Sequence, residues 1–139
     1  MTNSVWKKVG LALATAIALT QVASAAGVEY GLGKYEYEAN CQVCHGSTGQ
    51  GDGEFSQYLN VKPADLTVLT VNNDGVFPFL DVFQTVDGRA VVRGHGDPMP
   101  VWGNTFTEQI GESAGPYGSE LLIRARIVSL VDYVQSLQR

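Results

Sequence analysis

The chain has 139 residues, with nine basic and fourteen acidic side chains and a formal net charge of −5. This length suits one domain of ordinary size. The acidic balance argues against a nucleic-acid partner, because binding to phosphates needs clustered lysine and arginine. It is typical of a solubilising surface, and it would also steer the domain toward basic partner surfaces.

The first 25 residues have the organisation of an export signal. Lys7 and Lys8 form a positive start, an apolar run of 11 residues extends from Val9 to Leu19, and residues 23–25 are a small-residue cleavage sequence. We therefore predict that residues 1–25 are removed and that the mature domain lies outside the cytoplasm.

Residues 26–139 then form a single domain of 114 residues. The signal holds two lysines and no acid, so the domain keeps seven basic and fourteen acidic side chains and a net charge of −7. The alternative is an uncleaved membrane anchor, since no charge lies between Lys8 and Glu29 and about 20 apolar residues span a bilayer. Both arrangements place the folded domain outside the cytoplasm.

Residues 28–44 are predicted to form the first helix, because one face repeats at steps of three and four. Its members are Tyr30, Gly33, Tyr37, Cys41 and Cys44, while Lys34, Glu36 and Glu38 fall elsewhere. Glycine is costly inside a helix, so we expect Gly33 to permit the close approach of another helix. A frayed first turn is the alternative interpretation.

The sequence Cys41-Gln42-Val43-Cys44-His45 is typical of covalent haem attachment. In such a site both thiols become thioethers to the porphyrin vinyl groups, and the adjacent histidine ligates the iron. The second ring nitrogen of His45 is expected to donate to a backbone carbonyl, which fixes the tautomer.

Three other uses of the two cysteines compete with haem attachment. A disulfide would close a tiny loop, remove little unfolded-state entropy and leave His45 unexplained. A thioredoxin-like pair would begin a helix after a strand, whereas this pair ends a predicted helix. Zinc would take Cys41, Cys44, His45 and His95, and the adjacent Cys44 and His45 are an awkward pair of tetrahedral ligands.

A glycine-rich loop follows the motif. Residues 46–53 are predicted to wrap beneath the haem, and they lack the Lys-Ser/Thr ending and the preceding strand of a phosphate-binding loop. The next predicted elements are a short helix over 55–61, extended backbone over 62–67 and a turn over 72–75. A further helix has Pro78 in its first turn and stops at Gly88. Its apolar stripe is Phe79, Leu80, Val82, Phe83 and Val86.

Residues 93–103 are rich in glycine and proline, so we predict irregular backbone that presents Met99. Met99 is the only methionine besides the initiator, and a thioether is a soft ligand for haem iron. Pro98 and Pro100 stiffen the backbone on either side. Met99 is therefore predicted as the second axial ligand. A core-filling methionine is the alternative role, and His95 is the rival ligand.

The remaining candidates lie on either side of that segment. Trp102 is a candidate donor to a haem propionate, or a core residue, and Arg89 and Arg93 are candidates to balance propionate charge. The last element is an amphipathic helix of about 30 Å predicted to begin with Ser119 as its N-cap. Its apolar positions are Ile123, Ile127, Leu130, Val131, Val134 and Leu137. We assign no role to residues 104–118.

Taken together, these motifs make residues 26–139 resemble the class I c-type cytochromes over nearly their whole length. Members of that family carry a glycine, an aromatic four residues later and the first haem cysteine four beyond that, as Gly33, Tyr37 and Cys41 do. Their last helix brings a leucine, and an aromatic three residues later, across the first helix. Leu130 and Tyr133 stand at that spacing. Their axial methionine lies in a late loop, as does Met99, and many bacterial members show a Met-Pro-x-Trp-Gly run like the one from Met99 to Gly103.

One feature departs from the family pattern. Many relatives have a proline soon after the glycine-rich loop, and its carbonyl accepts a hydrogen bond from the axial histidine. Here Glu54 follows Gly53, and the nearest proline is Pro63. Pro63 is therefore the candidate whose carbonyl accepts the hydrogen bond from His45.

The resemblance implies an all-α fold, the cytochrome c fold, wrapped around one haem c that Cys41 and Cys44 attach and that His45 and Met99 ligate. It implies single-electron transfer in the periplasm between a donor and an acceptor redox protein, not enzymatic catalysis. A membrane respiratory or photosynthetic complex is a candidate partner. The alternatives are a dedicated cytochrome subunit of a larger dehydrogenase or oxidase and, with an open sixth position, a haem enzyme or gas sensor.

Overall fold

The structure is a computed structural model that describes residues 31–90 and 99–139. Within these ranges the chain is helical and contains no strand, which agrees with the predicted all-α class. The predicted export signal, the start of the first predicted helix, Arg93, His95 and Pro98 all lie outside the described residues. In the described ranges, no helix is both long enough and apolar enough to cross a bilayer.

The described part of the chain forms five α-helices, which are α1 (Gly31–Asn40), α2 (Gln42–His45), α3 (Phe79–Asp87), α4 (Trp102–Ile110) and α5 (Gly115–Ser136). Three single 3₁₀ turns lie between α2 and α3, at Ser56–Tyr58, Leu66–Val68 and Val71–Asn73. The predicted short helix over 55–61 is therefore one 3₁₀ turn. The predicted extended backbone over 62–67 ends in a second 3₁₀ turn that begins at Leu66. The predicted turn over 72–75 is present, with Asp74 and Gly75 at positive φ.

The first predicted helix is interrupted at Cys41, so it forms α1 and the single turn α2. The amide groups of Cys44 and His45 both donate to the Cys41 carbonyl, at 3.1 and 2.9 Å. The chain then turns at Gly46, where φ is +82°. This break lets the two cysteines and the histidine of the motif share one tight turn at the end of α1.

Helix α3 ends at Gly88 as predicted, whereas Pro78 is its N-cap and not a residue of its first turn. Pro78 directly precedes the helix, and Gly88 ends it with φ of +67° and an amide bond to the Gln84 carbonyl. A left-handed residue just after the last turn favours glycine, because it carries no Cβ. Of the predicted stripe, Val86 is buried but Leu80 is exposed.

The last helix begins earlier than predicted, and Ser119 is not its N-cap. Helix α5 starts at Gly115 with Pro116 in its first turn, where the missing amide costs nothing. Ser119 is buried inside the helix and its hydroxyl donates to the Gly111 carbonyl at 2.7 Å. The 22 residues of α5 correspond to about 33 Å. Residues 104–118, to which we assigned no role, contain most of α4 and the first turn of α5.

Helix α1 crosses α5 at Gly33, as predicted. A Cβ atom at Gly33 would meet the Ser129 carbonyl and the Tyr133 side chain, so only glycine allows this approach. One turn later the ring of Tyr37 packs against that of Tyr133, with centroids 5.2 Å apart.

The hydrophobic core lies along α5, which packs against α1, α3 and α4. Its buried side chains from α5 are Ile123, Ile127, Leu130, Val131 and Val134, all predicted from the helical period. Tyr37, Val86 and Phe106 complete the core from the other three helices. Three of these core residues, Val86, Leu130 and Val134, also line a cavity beside the Cys41–His45 motif.

Candidate functional site

A cleft opens where the Cys41–His45 motif faces Met99. It consists of two cavities of about 290 and 380 Å³ that share four lining residues, Cys41, His45, Ala64 and Met99. The structure thus brings together all four side chains that the sequence analysis proposed as haem-binding, because Cys44 also lines the first cavity. We call this combined space the cleft.

The lining of the cleft is predominantly apolar. The segment between α2 and α3 contributes Leu59, Val61, Leu66 and Leu69, while the helices α3 and α5 contribute Val82, Val86, Leu130 and Val134. Ligand sites in proteins are typically apolar with a few well-placed polar groups. The core residues of α5 therefore also serve as one wall of the site.

Both cysteines of the motif are free thiols at the end of α1. Cys41 is buried, whereas Cys44 is half-buried. Burial, reinforced by the nearby Glu36 carboxylate, raises the pKa of Cys41 to about 12. A dithiol redox site needs a thiol with a lowered pKa, and burial shifts the pKa of Cys41 in the opposite direction. The thioredoxin-like alternative is disfavoured.

His45 is the last residue of α2, and its imidazole is oriented by the backbone. Nδ1 lies 3.0 Å from the Ala64 carbonyl oxygen. A carbonyl only accepts, so Nδ1 carries the proton and Nε2 keeps its lone pair for another group. Burial lowers the pKa of His45, opposed by the bond to Ala64, which favours the neutral ring that metals bind.

A backbone carbonyl accepts from His45, as predicted, but the acceptor is Ala64 and not the candidate Pro63. The Pro63 carbonyl lies instead against Gly51, where a Cβ atom would collide with it. Gly51 has φ of +75°. The chain passes this glycine so closely that both the Pro63 and the Ala64 carbonyls lie near the position that a Cβ would take.

The glycine-rich loop returns to the motif and satisfies its backbone carbonyls. The amides of Gly51, Gly53 and Phe55 donate to the carbonyls of His45, Cys44 and Val43 at 2.8, 3.1 and 2.8 Å. A helix end leaves such carbonyls without intrahelical partners. The loop amides are used in this way, so they do not form a phosphate cradle.

Met99 and Trp102 line the cleft from the segment that leads into α4. Met99 is half-buried and lines both cavities, while Pro100 and Trp102 line the first. Trp102 begins α4, contrary to the predicted irregular backbone, and its ring lies 6.1 Å from that of Phe106. Helix α4 therefore connects the Met99 segment to the core.

Arg89 is not in the cleft. Its guanidinium binds Asp87 and both carboxylate oxygens of Glu120, at 2.7 and 3.2 Å, and it lines a separate groove between α4 and α5. These carboxylates raise the pKa of Arg89. The proposed role in balancing propionate charge is thus replaced by an ion pair that joins the end of α3 to α5.

The ion pair between Glu36 and Arg126, which lies near the site, was not predicted from the sequence. Glu36, placed on the polar face of the first helix, is 2% exposed and makes a bidentate pair with Arg126. A signal was available, because Arg126 stands between Ile123 and Leu130 at helical spacing. A cation within an apolar stripe requires a buried partner.

The donors that the cleft presents are two thiols, one imidazole with an available Nε2 and one thioether. Together with the apolar walls, they fit a covalently attached haem with histidine and methionine ligands. Zinc needs four donors, and no group of three or more His, Cys, Asp and Glu side chains suited to a metal occurs within residues 31–90 and 99–139. His95, the remaining zinc candidate, lies outside those ranges.

No protein-family model, curated protein or solved structure matches the chain.

Proposed function

We propose that this protein is a monohaem cytochrome of the class I c type that transfers single electrons in the periplasm. One observation carries the proposal: Cys41, Cys44, His45 and Met99 line the same apolar cleft although Met99 is far from the others in sequence. An axial ligand must share a cleft with the attachment motif, and Met99 does so in addition to packing against the hydrophobic core.

Each residue of the cleft has a distinct role in this proposal. Cys41 and Cys44 attach the haem through thioethers, and His45 Nε2 and the Met99 sulfur ligate the iron. Haem supplies a reversible one-electron couple when bound. The Ala64 carbonyl holds the His45 ring in one tautomer and increases its basicity. The thioether ligand and the apolar walls favour the ferrous state, so the reduction potential is relatively high.

A protein that fills both axial positions leaves no site for a substrate bond. The cleft therefore supports a carrier and not an enzyme, and exchange with donor and acceptor redox proteins occurs where the cofactor edge reaches the surface. The export signal predicted for residues 1–25 and the covalent attachment motif both agree with a periplasmic carrier.

The test is an absorption spectrum of the protein matured in a haem-attaching periplasm, in both oxidation states, with and without carbon monoxide. We expect a low-spin haem, a weak ferric sulfur-to-iron band and no response to carbon monoxide. In Met99→Ala the sulfur band should disappear and carbon monoxide should bind. Leu69→Ala, which shortens another half-buried cleft residue, is the control and should keep the wild-type spectrum.

Three outcomes would contradict the proposal in different ways. Absence of covalent haem would remove the whole interpretation. Ready binding of carbon monoxide to the wild type would indicate a haem enzyme or gas sensor. An unchanged sulfur band in Met99→Ala would mean that another residue is the sixth ligand.

A second candidate function, a dedicated subunit of a larger dehydrogenase or oxidase, is favoured by exposed apolar residues beside the cleft. Val43, Phe55, Tyr58 and Val61 are each about half exposed or more. The rings of Phe55 and Tyr58 are in tilted contact with centroids 5.8 Å apart, and Val61 also lines the cleft. Exposed apolar clusters mark protein interaction sites.

The two functions differ in the permanence of the interface. A dedicated subunit should elute from the periplasmic or membrane extract as a large complex, and Phe55→Ser with Tyr58→Ser should release it as a monomer. Tyr117→Ser, which alters a 92% exposed tyrosine elsewhere on the molecule, should leave the complex intact. Elution of the wild type as a monomer would favour the free carrier.

A further inference from the structure

Glu36 and Arg126 form a buried ion pair between α1 and α5. The Glu36 side chain is 3% exposed and that of Arg126 is 20% exposed. Two parallel bonds of 2.8 Å join Nε and Nη2 of Arg126 to the two carboxylate oxygens. Such bidentate geometry is the strongest form of this pairing.

The remaining contacts of the pair are neutral. The guanidinium lies 4.0 Å from the centre of the Phe106 ring, and its Nη1 donates to Gln109 at 2.9 Å. The carboxylate accepts a 3.0 Å bond from the Asn40 amide. Glu36 and Arg126 therefore compensate each other's charge, and among residues 31–90 and 99–139 neither has a second ionic partner.

The pair adjoins the cleft through Asn40. Asn40 is bonded to both the side chain and the carbonyl of Glu36, and it lines the first cavity next to Cys41 and Cys44. The field of the Glu36 carboxylate also contributes to the raised pKa of the Cys41 thiol. A charge at Glu36 is therefore felt inside the cleft.

We propose that the Glu36–Arg126 pair tunes the reduction potential of the redox group held in the cleft. The inference rests on the proposed function, since it requires a one-electron couple at that place. Oxidation adds one positive charge to the site, and a buried cation nearby opposes that charge while a carboxylate favours it. In the closed pair the two opposite charges largely cancel, so the Glu36 carboxylate holds the potential below the value that an unpaired Arg126 would give.

The decisive variant is Glu36→Gln, which keeps the shape and the hydrogen bonds to Asn40 but leaves Arg126 charged. Arginine does not lose its proton in proteins, so an uncompensated cation remains. We expect the equilibrium to shift toward the reduced form by roughly tenfold, which is about 59 mV for one electron. The double variant E36Q/R126Q has neither charge and should return to within about twofold of the wild type.

The return of the reduction potential in the double variant separates electrostatic tuning from a purely structural role of the pair. If the pair only holds α1 against α5, the double variant loses more packing than Glu36→Gln and should not restore the potential. Glu38→Gln, which breaks the exposed Lys34–Glu38 pair on the same helix, is the matched control. It should change the equilibrium by less than about twofold, because exposed charges are screened.

Gln109→Glu tests the same idea without opening the core, since Gln109 is exposed. It places a second carboxylate on the guanidinium and should shift the equilibrium about twofold toward the oxidised form at low ionic strength. The measurement is a potentiometric titration of the haem-containing protein. A wild type without haem would overturn the proposed function, whereas haem-containing Glu36→Gln and Gln109→Glu with wild-type potentials would overturn this inference alone.

Discussion

At the scale of single residues, polar contacts from distant positions hold the turn that carries His45. Tyr37 is fully buried and its hydroxyl donates to the Gly46 carbonyl at 2.6 Å. Burial raises the pKa of Tyr37, so this hydroxyl stays protonated and remains a donor. Ala64 contributes the carbonyl that orients the imidazole. The geometry at His45 thus depends on one side chain of α1 and on one backbone group of the next segment.

Replacing Tyr37 by Phe removes the bond to Gly46. That carbonyl then keeps only a longer 3.3 Å bond from the Gly49 amide, so we expect a loss of about 1 kcal/mol in the free energy of unfolding. Urea denaturation measures the loss. Tyr35→Phe, on the same helix but 65% exposed, should leave stability unchanged, and equal effects of the two variants would contradict the role of the hydroxyl.

Asp65 makes stability depend on pH. Its carboxylate accepts from the Thr67 hydroxyl and amide, at 2.6 and 2.9 Å, and Arg139 lies 3.1 Å away. These bonds lower the pKa of Asp65 in the folded state. A lowered folded pKa gives stability that is present above the unfolded value of 3.8 and is lost as pH falls through the folded value.

We therefore expect the wild-type urea midpoint to decline below about pH 4 more steeply than that of Asp65→Asn. The two proteins should differ most near neutral pH and converge in acid. Midpoints measured across this range provide the check, since other carboxylates affect both proteins alike. A difference that stays constant down to the lowest pH would show that the Asp65 charge does not contribute.

At the scale of elements, the crossing of α1 over α5 depends on Gly33. The Ser129 carbonyl occupies the place of a side chain there, so the two backbones approach more closely than alanine permits. The aromatic pair Tyr37 and Tyr133 continues the same contact. The end of α1, and with it Cys41, is positioned relative to α5 by this crossing.

Gly33→Ala should separate the two helices and lower the free energy of unfolding by about 1–3 kcal/mol, the usual cost of overpacking. The higher helix propensity of alanine, worth up to about 1 kcal/mol, opposes this only in part. Gly31→Ala is the matched control, because no atom lies within 4 Å of its Cβ position, and its stability should be equal or higher. Thermal and urea unfolding measure the stability of both variants, and a Gly33→Ala protein as stable as Gly31→Ala would contradict the close crossing.

At the scale of the whole molecule, the cleft is assembled from segments that are far apart in sequence. Its walls come from the end of α1, from the 59–69 segment, from α3, from Met99 with Trp102, and from α5. The end of the chain closes the arrangement, because Gln138 donates to the Leu66 carbonyl at 2.6 Å and accepts from the Thr70 amide at 2.9 Å. Helix α5 therefore supports both the core and the segment that orients His45.

Much of this arrangement was predictable from local patterns. The period of α5 identified its buried residues, Gly33 indicated the helix crossing, and Gly88 marked the end of α3. Each of these depends on spacing within one helix or on the conformation of one glycine. The attachment motif and Met99 likewise name the candidate donors by residue type alone, and their chemical roles stay predictions of the proposed function.

Other features were decided only by tertiary contacts. The buried Glu36 carboxylate has Arg126 and Asn40 as hydrogen-bond partners. Ser119 lies inside α5, where its hydroxyl donates to the Gly111 carbonyl. His45 bonds to the Ala64 carbonyl and not to that of Pro63, at the point where the chain passes close to Gly51. The sequence by itself determined the helical class and the buried face of α5 and indicated the candidate donor residues, since period and residue type are local properties. The placement of those donors around one cleft, and the partners of each buried polar group, follow from contacts between distant segments, which only the folded chain specifies.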